Sequence, residues 1–302
     1  MSEVKKIATR MSYGNALVEL GKEHDDLLVF EADLGGATKT TIFRDVFPDR
    51  HIECGIAEAN MVGMAAGIST TGIVPFVSSF AMFTAGRAFD QLRNSVGYPH
   101  LNVKVGATHQ CNEDFALMRT IPGMVVICPS DDVEARAAVK AAYEYKGPVY
   151  MRFGRVAVPV INDNPDYKFE IGKGVTLKDG NDLTIIANGI LVSEALQAAE
   201  MLAKDGINAR VINIHTIKPL DKDLVIKAAK KTGKIVTVEE HSVIGGLGSA
   251  VADVVSEENL APVHKIGVQD VFGESALAEE LLEKHGLDAK GIYNNIKDYL
   301  NK

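Results

Sequence analysis

The segment Glu53-Cys54-Gly55-Ile56-Ala57-Glu58-Ala59-Asn60-Met61-Val62-Gly63-Met64-Ala65-Ala66-Gly67 sets one central carboxylate, Glu58, among small and apolar residues. Its composition predicts a helix, although each interior glycine costs about 1 kcal/mol relative to alanine. Gly63 and Gly67 fall one turn apart and form a flat stripe on which another backbone can pack closely. A first-turn glutamate can face solvent and favour the helix dipole, or it can be carried into a packed interface to hold a proton. The segment alone leaves both open. Phe80 and Phe83, three residues apart, share one face of an expected helix, where core packing is the ordinary role of a phenylalanine. Asp33 follows an apolar run over 27–32, and open α/β sheets place ligands at the carboxyl ends of their strands. Gly245-Gly246-Leu247-Gly248 lies between an expected strand and an expected helix but misses the spacing of a dinucleotide-binding loop, so it reads as a tight turn. His215, His241 and His264 show no metal-ligand spacing.

Such residues need a rigid scaffold. Nearly continuous apolar runs at 27–32, 73–77, 101–105, 124–128 and 148–153 have the texture of strands buried on both faces, with helical patterns between them. The clearest helix covers 131–145, where Asp131 caps and Glu134 is placed to reach back to the cap's own N–H. A stretch rich in Pro, Asn, Asp and Gly over 161–180 reads as a linker. A second alternating set follows, with strands at 183–187, 209–214, 234–238 and 263–267 and helices at 191–202, 222–231, 248–258, 275–285 and 289–300. The expected fold class is α/β in two domains, 1–160 and 181–302, each a mostly parallel sheet flanked by helices.

Composition excludes several classes. The 302 residues carry 40 acidic and 32 basic side chains, a net charge of −8, and no Lys/Arg-rich run, which argues against nucleic acid as a partner. No apolar run approaches the ~20 residues that cross a bilayer, and the amino terminus has no apolar signal core. The three cysteines, Cys54, Cys111 and Cys128, form no CxxC pair, which fits a reducing compartment, so a cytoplasmic location is expected.

The run from Gly55 to Ala65, taken with Ala32-Asp33-Leu34, Ser79-Phe80-Ala81-Met82-Phe83, Thr108-His109-Gln110 and Thr216-Ile217-Lys218-Pro219-Leu220-Asp221, resembles the C-terminal half of transketolases. The likeness is to a pyrimidine-binding domain plus a C-terminal domain, as in the separately encoded small subunit of split transketolases. It implies a transferase that moves a two-carbon ketol unit between sugar phosphates with thiamine diphosphate. Glu58 then matches the glutamate that passes a proton through the aminopyrimidine ring. Phe80 and Phe83 match the aromatics around that ring, and Asp33 an aspartate near the thiazolium. His109 matches a histidine facing the reacting carbon. Arg10 and Arg155 match arginines that grip the substrate phosphate, with Arg152 close enough to leave the register ambiguous. Ala37 stands where a phosphate-binding hydroxyl is common, and Thr38 beside it is a possible substitute.

One departure and one absence qualify the likeness. Around Val103 to Gln110 about a dozen residues of the family's loop are missing by comparison with usual loop lengths, and Val105 stands where a sugar-binding aspartate would be. No Gly-Asp-Gly motif is present, so this chain offers no metal site, and Mg2+ with the diphosphate falls to an N-terminal partner subunit, in an expected α2β2 assembly. A deoxyxylulose-phosphate synthase-like subunit, a 2-oxo-acid dehydrogenase β-like subunit and a non-catalytic partner that has lost the loop remain the alternatives.

Overall fold

A computed structural model describes residues 5–301. The chain divides into two compact units, residues 1–171 and 172–302. In the first, β1 (Lys6–Ala8) leads into α1 (Thr9–Glu23), followed by β2 (Leu27–Glu31), α2 (Gly35–Thr38), α3 (Thr41–Val46), β3 (His51–Glu53), α4 (Glu58–Ser69) and β4 (Val74–Phe80). Two π-helical segments, Phe83–Arg87 and Gln91–Gly97, precede β5 (Lys104–Thr108), α5 (Asp114–Thr120), β6 (Val125–Ile127), α6 (Asp132–Glu144), β7 (Val149–Phe153) and β8 (Ala157–Pro159). The strands of this unit run parallel in the order β6-β7-β5-β4-β2-β3. β1 pairs antiparallel with β8, which pins the start of α1 beside the end of β7.

The apolar runs mark burial well and strand ends less well. The strand expected over 101–105 lies at Lys104–Thr108. Gly106 and Ala107 are poor strand formers by propensity, yet the sheet continues through them because Tyr13 lies flat over Gly106, stacked at 4.7 Å on Phe153 with its hydroxyl 2.7 Å from Ser78 Oγ. Lys104 is tolerated in the core because its ammonium donates to Asn102 Oδ1 and the carbonyls of Tyr145 and Gly147, at 2.6, 2.7 and 2.7 Å. Burial, with Lys146 nearby, pulls it down to about 7. The helix expected through 53–67 starts only at Glu58, since Glu53 ends β3 and Gly55 turns the chain at φ 66°. α6 is capped as expected by Asp131, which accepts the N–H of Glu134 at 2.9 Å. The Glu134 carboxylate, however, takes the N–H and hydroxyl of Ser130, one residue before the cap, both at 2.7 Å.

The second unit contains β9 (Val175–Lys178), β10 (Leu183–Ala187), α7 (Leu191–Lys204), β11 (Ala209–Asn213), β12 (Thr216–Lys218), α8 (Lys222–Thr232), β13 (Ile235–Ser242), α9 (Leu247–Glu257), β14 (Val263–Val268), α10 (Ala278–Lys284) and α11 (Ala289–Leu300). Its sheet has the order β14-β13-β10-β11-β9, parallel except for β9. Ile186, Ile212, Val225, Leu247 and Val251 are among the core residues of this unit. The glycine turn before α9 is filled from within. The buried Glu239 carboxylate accepts the N–H of Leu247 at 2.6 Å and of Gly248 at 2.8 Å, and a Cβ on Gly246 would stand 2.0 Å from its Oε2. A side-chain carboxylate thus occupies the place a phosphate would take at a helix amino terminus.

In the first unit, a Cβ on Gly106 would lie 2.2 Å from the Tyr13 ring. The ring is fully buried and cannot step aside. Gly106→Ala is expected to destabilise the chain by about 1–3 kcal/mol or more, read as a lower urea midpoint at unchanged m value.

Candidate active site

The carboxyl edge of the first sheet gathers most of the residues singled out by sequence. Asp33 follows β2, Glu53 ends β3, Phe80 ends β4, His109 follows β5, and Arg155 comes two residues after β7. Arg10, in the first turn of α1, is tied to the end of β7 by its own N–H to Gly154 O at 3.3 Å and by Gly154 N–H to Thr9 Oγ1 at 2.7 Å. A parallel sheet places its ligands at this edge.

Glu58 opens α4, but it does not face solvent. It is 1% exposed, with Oε2 3.4 Å from Arg87 Nη1. The guanidinium of Arg87, itself largely exposed, lies 5.7 Å from the Phe83 ring centroid. Arg87 is the functional candidate that the sequence reading missed. The π-helical turn Phe83–Arg87 gives no signal in hydrophobic period, and π-bulges are frequent at functional sites. Phe80 and Phe83 do not share a helix face as expected. Phe80 is the last residue of β4 and Phe83 begins the π-helical turn, yet their rings still stack at 5.7 Å.

Phe80 also meets His109, centroids 4.1 Å apart. His109 sits at φ 71°, and its Nδ1 is 2.9 Å from Thr108 Oγ1. Burial first, then the positive charges of Arg10 and Arg155, hold the His109 ring down at about 4, so it is neutral at physiological pH. Arg10 donates from Nη1 to Ala37 O at 2.9 Å and feels Arg155 directly. The arrangement is a neutral imidazole between an aromatic pair and two guanidinium groups.

Two candidates stand elsewhere. Arg152 is buried, donates to Cys111 O at 3.0 Å, pairs with Asp114 at 3.6 Å and lies over the Phe115 ring at 4.1 Å, so Arg155 is the arginine of this segment that stands beside Arg10. Thr38 is buried too, its hydroxyl 3.2 Å from Leu34 O and 3.1 Å from Thr40 Oγ1, and it faces inward. Val105 lies mid-strand, opposite Val77 and Tyr150 and fully buried, so the chain runs straight through the point where a missing loop was expected to begin. The short connection is instead 109–113, between β5 and α5.

The glycine stripe on α4 is open. A Cβ on Gly63 or Gly67 would meet nothing within 4 Å, and Ile56 (72% exposed), Met64 and Met82 expose apolar surface nearby in sequence. The Arg87 guanidinium thus links the buried Glu58 carboxylate to the partly buried, stacked rings of Phe80 and Phe83.

The fold favours the neutral His109 ring. Its share of stability is therefore complete above about pH 6.5 and declines as pH falls toward 4. In an NMR titration, the His109 ring is expected to turn over near pH 4, and Arg10→Met to raise that midpoint while leaving it below 6.5, because burial is the larger cause. An ordinary midpoint near 6.5 in the intact chain contradicts this environment.

Residues 5–160 match the model for the transketolase pyrimidine binding domain, and residues 172–292 that for the transketolase C-terminal domain. A putative transketolase C-terminal section from Methanocaldococcus jannaschii is 47% identical, covering 97% of this chain and 96% of its own length. The 6-deoxy-6-sulfo-D-fructose transketolase subunit SqwH of a Clostridium species is 44% identical over 94% of this chain and 91% of its own. Rat transketolase is 40% identical over 98% of this chain, which spans 50% of that relative. A solved structure, described as an inactive beta4 tetramer of a split gene transketolase, superimposes with a TM-score of 0.92 at 52% identity and covers 98% of this chain and 99% of that one. With both domain models matched in order, and relatives of its own length among split transketolases, this chain belongs to the transketolase family.

Proposed function

We propose that this chain is the pyrimidine-binding and C-terminal subunit of a two-chain, thiamine-diphosphate-dependent transketolase, moving a two-carbon ketol unit between sugar phosphates. The observation that carries the reading is Glu58, a carboxylate buried at an edge whose neighbouring surface of glycines, Ile56, Met64 and Met82 is open. A subunit presenting the diphosphate and Mg2+ would complete the site across that surface, most simply as an α2β2 assembly. Enclosed in this way, Glu58 would face the cofactor from water-poor surroundings.

Thiamine diphosphate, when bound, supplies the carbon nucleophile. The residues of this chain supply position and proton traffic. Glu58 holds a proton at the pyrimidine nitrogen and returns it, Phe80 and Phe83 exclude water from the ring, and Asp33 stands near the thiazolium. Neutral His109 can accept a proton from a substrate hydroxyl, which an imidazolium could not. Arg10 and Arg155 present the planar forks suited to a sugar phosphate. A second reading, a partner chain that binds without turnover, is favoured by the short 109–113 connection, which offers neither the family's extra histidine nor its sugar-binding aspartate.

Both readings meet in one assay. Mixed with an N-terminal transketolase subunit, thiamine diphosphate and Mg2+, the chain is expected to assemble and transfer ketol units. Glu58→Gln is expected to assemble equally and to lose about 10²–10⁴-fold in kcat. Assembly and cofactor uptake without product select the second reading, and no assembly defeats both.

A further inference from the structure

Glu31 and Glu53 close neighbouring parallel strands, β2 and β3, directly opposite one another. Their carboxyl groups face one another there, close enough that a hydrogen bond between them raises Glu31 and lowers Glu53, and such a bond requires that one of them carry a proton. Backbone N–H groups meet both carboxyls. Glu31 Oε2 accepts the N–H of Leu34 at 2.8 Å, and Glu53 Oε1 accepts the N–H groups of Asp33 at 2.9 Å and Gly55 at 2.7 Å. Asp33 and Gly55 both sit at positive φ, 56° and 66°, and each reverses the chain at the candidate active edge. One turn carries Asp33, and the other leads within three residues to Glu58.

Burial, then the bond to Glu53, raises Glu31 to about 7. For Glu53 burial acts upward, but the bond from Glu31 and the N–H groups of Asp33 and Gly55 prevail and hold it below the ordinary range. Glu31 is therefore the protonated partner. The groups around the pair do not replace that proton. His51 is held below its usual range by burial and by Arg44 of α3, while Glu53 and Asp45 act the other way. The Cys54 thiol is pushed up to about 11 by burial and both carboxylates.

We propose that Glu31 and Glu53 form a positioning pair whose single shared proton fixes the Asp33 and Gly55 turns together, and that losing this proton releases both turns at once. Its meaning for catalysis rests on the reading of Asp33 and Glu58 given above; the coupling between the turns does not. The sign follows from the raised Glu31. Its proton contributes fully below the ordinary carboxylate range, declines as pH rises, and is gone above about 7, where two facing carboxylates repel across the strand ends.

Amide hydrogen exchange in the free chain tests the pair. Corrected for intrinsic rates, protection at Asp33, Leu34 and Gly55 is expected to fall at least about tenfold between about pH 6 and about pH 8.5, while mid-strand Phe76 and Val77 hold. Glu31→Gln keeps a donor toward Glu53 and an acceptor for Leu34, so it is expected to flatten this dependence at full protection. Glu53→Gln, with its amide donating to an ionised Glu31, carries the same test should the first variant fail to fold. A flat response in the unmodified chain, or an unchanged slope in a folded Gln variant, overturns the proposal. In the assembled enzyme, Glu31→Gln is expected to extend thiamine diphosphate uptake to higher pH, and an unaltered uptake profile overturns the link to the cofactor. Uptake absent at every pH, with the amides behaving as expected, instead counts against the functional reading.

Discussion

Removing the Glu58 carboxylate from water costs several kcal/mol unless charge or donors meet it. At the edge of the first sheet that constraint is met incompletely from within the chain. Arg87 approaches at 3.4 Å, but it does so from an exposed position on a widened helical turn, and the helix behind Glu58 presents glycines to open space. At this edge Arg87 is the side chain that meets that acid. β4 supplies Phe80, the π-helical turn supplies Phe83 and Arg87, and the pair Glu31 and Glu53 holds the turn from which α4 begins. Under the proposed assembly, the site is an acid prepared for a neighbour outside this chain.

Much of this was legible in the sequence, for identifiable reasons. The acid and its small-residue context stood out because Gly63 and Gly67 violate helix propensity, and a local cost without a local benefit points outward. The parallel sheet was legible because strands buried on both faces are continuously apolar. Strand ends were less so. Gly106 and Ala107 extend β5 only because Tyr13, remote in sequence, covers them. Arg87 was invisible because a π-helical turn shifts it out of any regular period. Arg152 and Arg155 could not be separated by spacing, since what distinguishes them is Asp114, Phe115 and Cys111 around the one and Arg10 beside the other. Thr38 illustrates the same limit. A hydroxyl next to the expected position is no substitute when its own carbonyl and hydroxyl partners turn it inward.

Buried glutamates in this chain are met in different ways. Glu239 in the second unit is met by the N–H groups that open α9 and lies 3.8 Å from His241 Nδ1, so the acid and the helix terminus satisfy each other. That closure fills the glycine-rich turn between β13 and α9 with a carboxylate of the chain itself. Glu31 is buried and Glu53 exposed, and each accepts backbone N–H groups at the strand ends, in a pair that under the proposal above depends on a proton that water can remove. What meets a carboxylate's oxygens thus differs among these glutamates, and burial alone does not set it.

The open face of α4 also bears on how the chain is kept in supply. Uncharged surface around Ile56, Met64 and the glycines is the kind that draws unassembled subunits into irregular association, and the overall charge of −8 opposes this only at long range. Under the proposed assembly, any chain made in excess of its complement would be the species most prone to be lost to aggregation or proteolysis. Matched synthesis of the two subunits then becomes a requirement set by glycine and methionine on one helix, and gene dosage inherits that constraint.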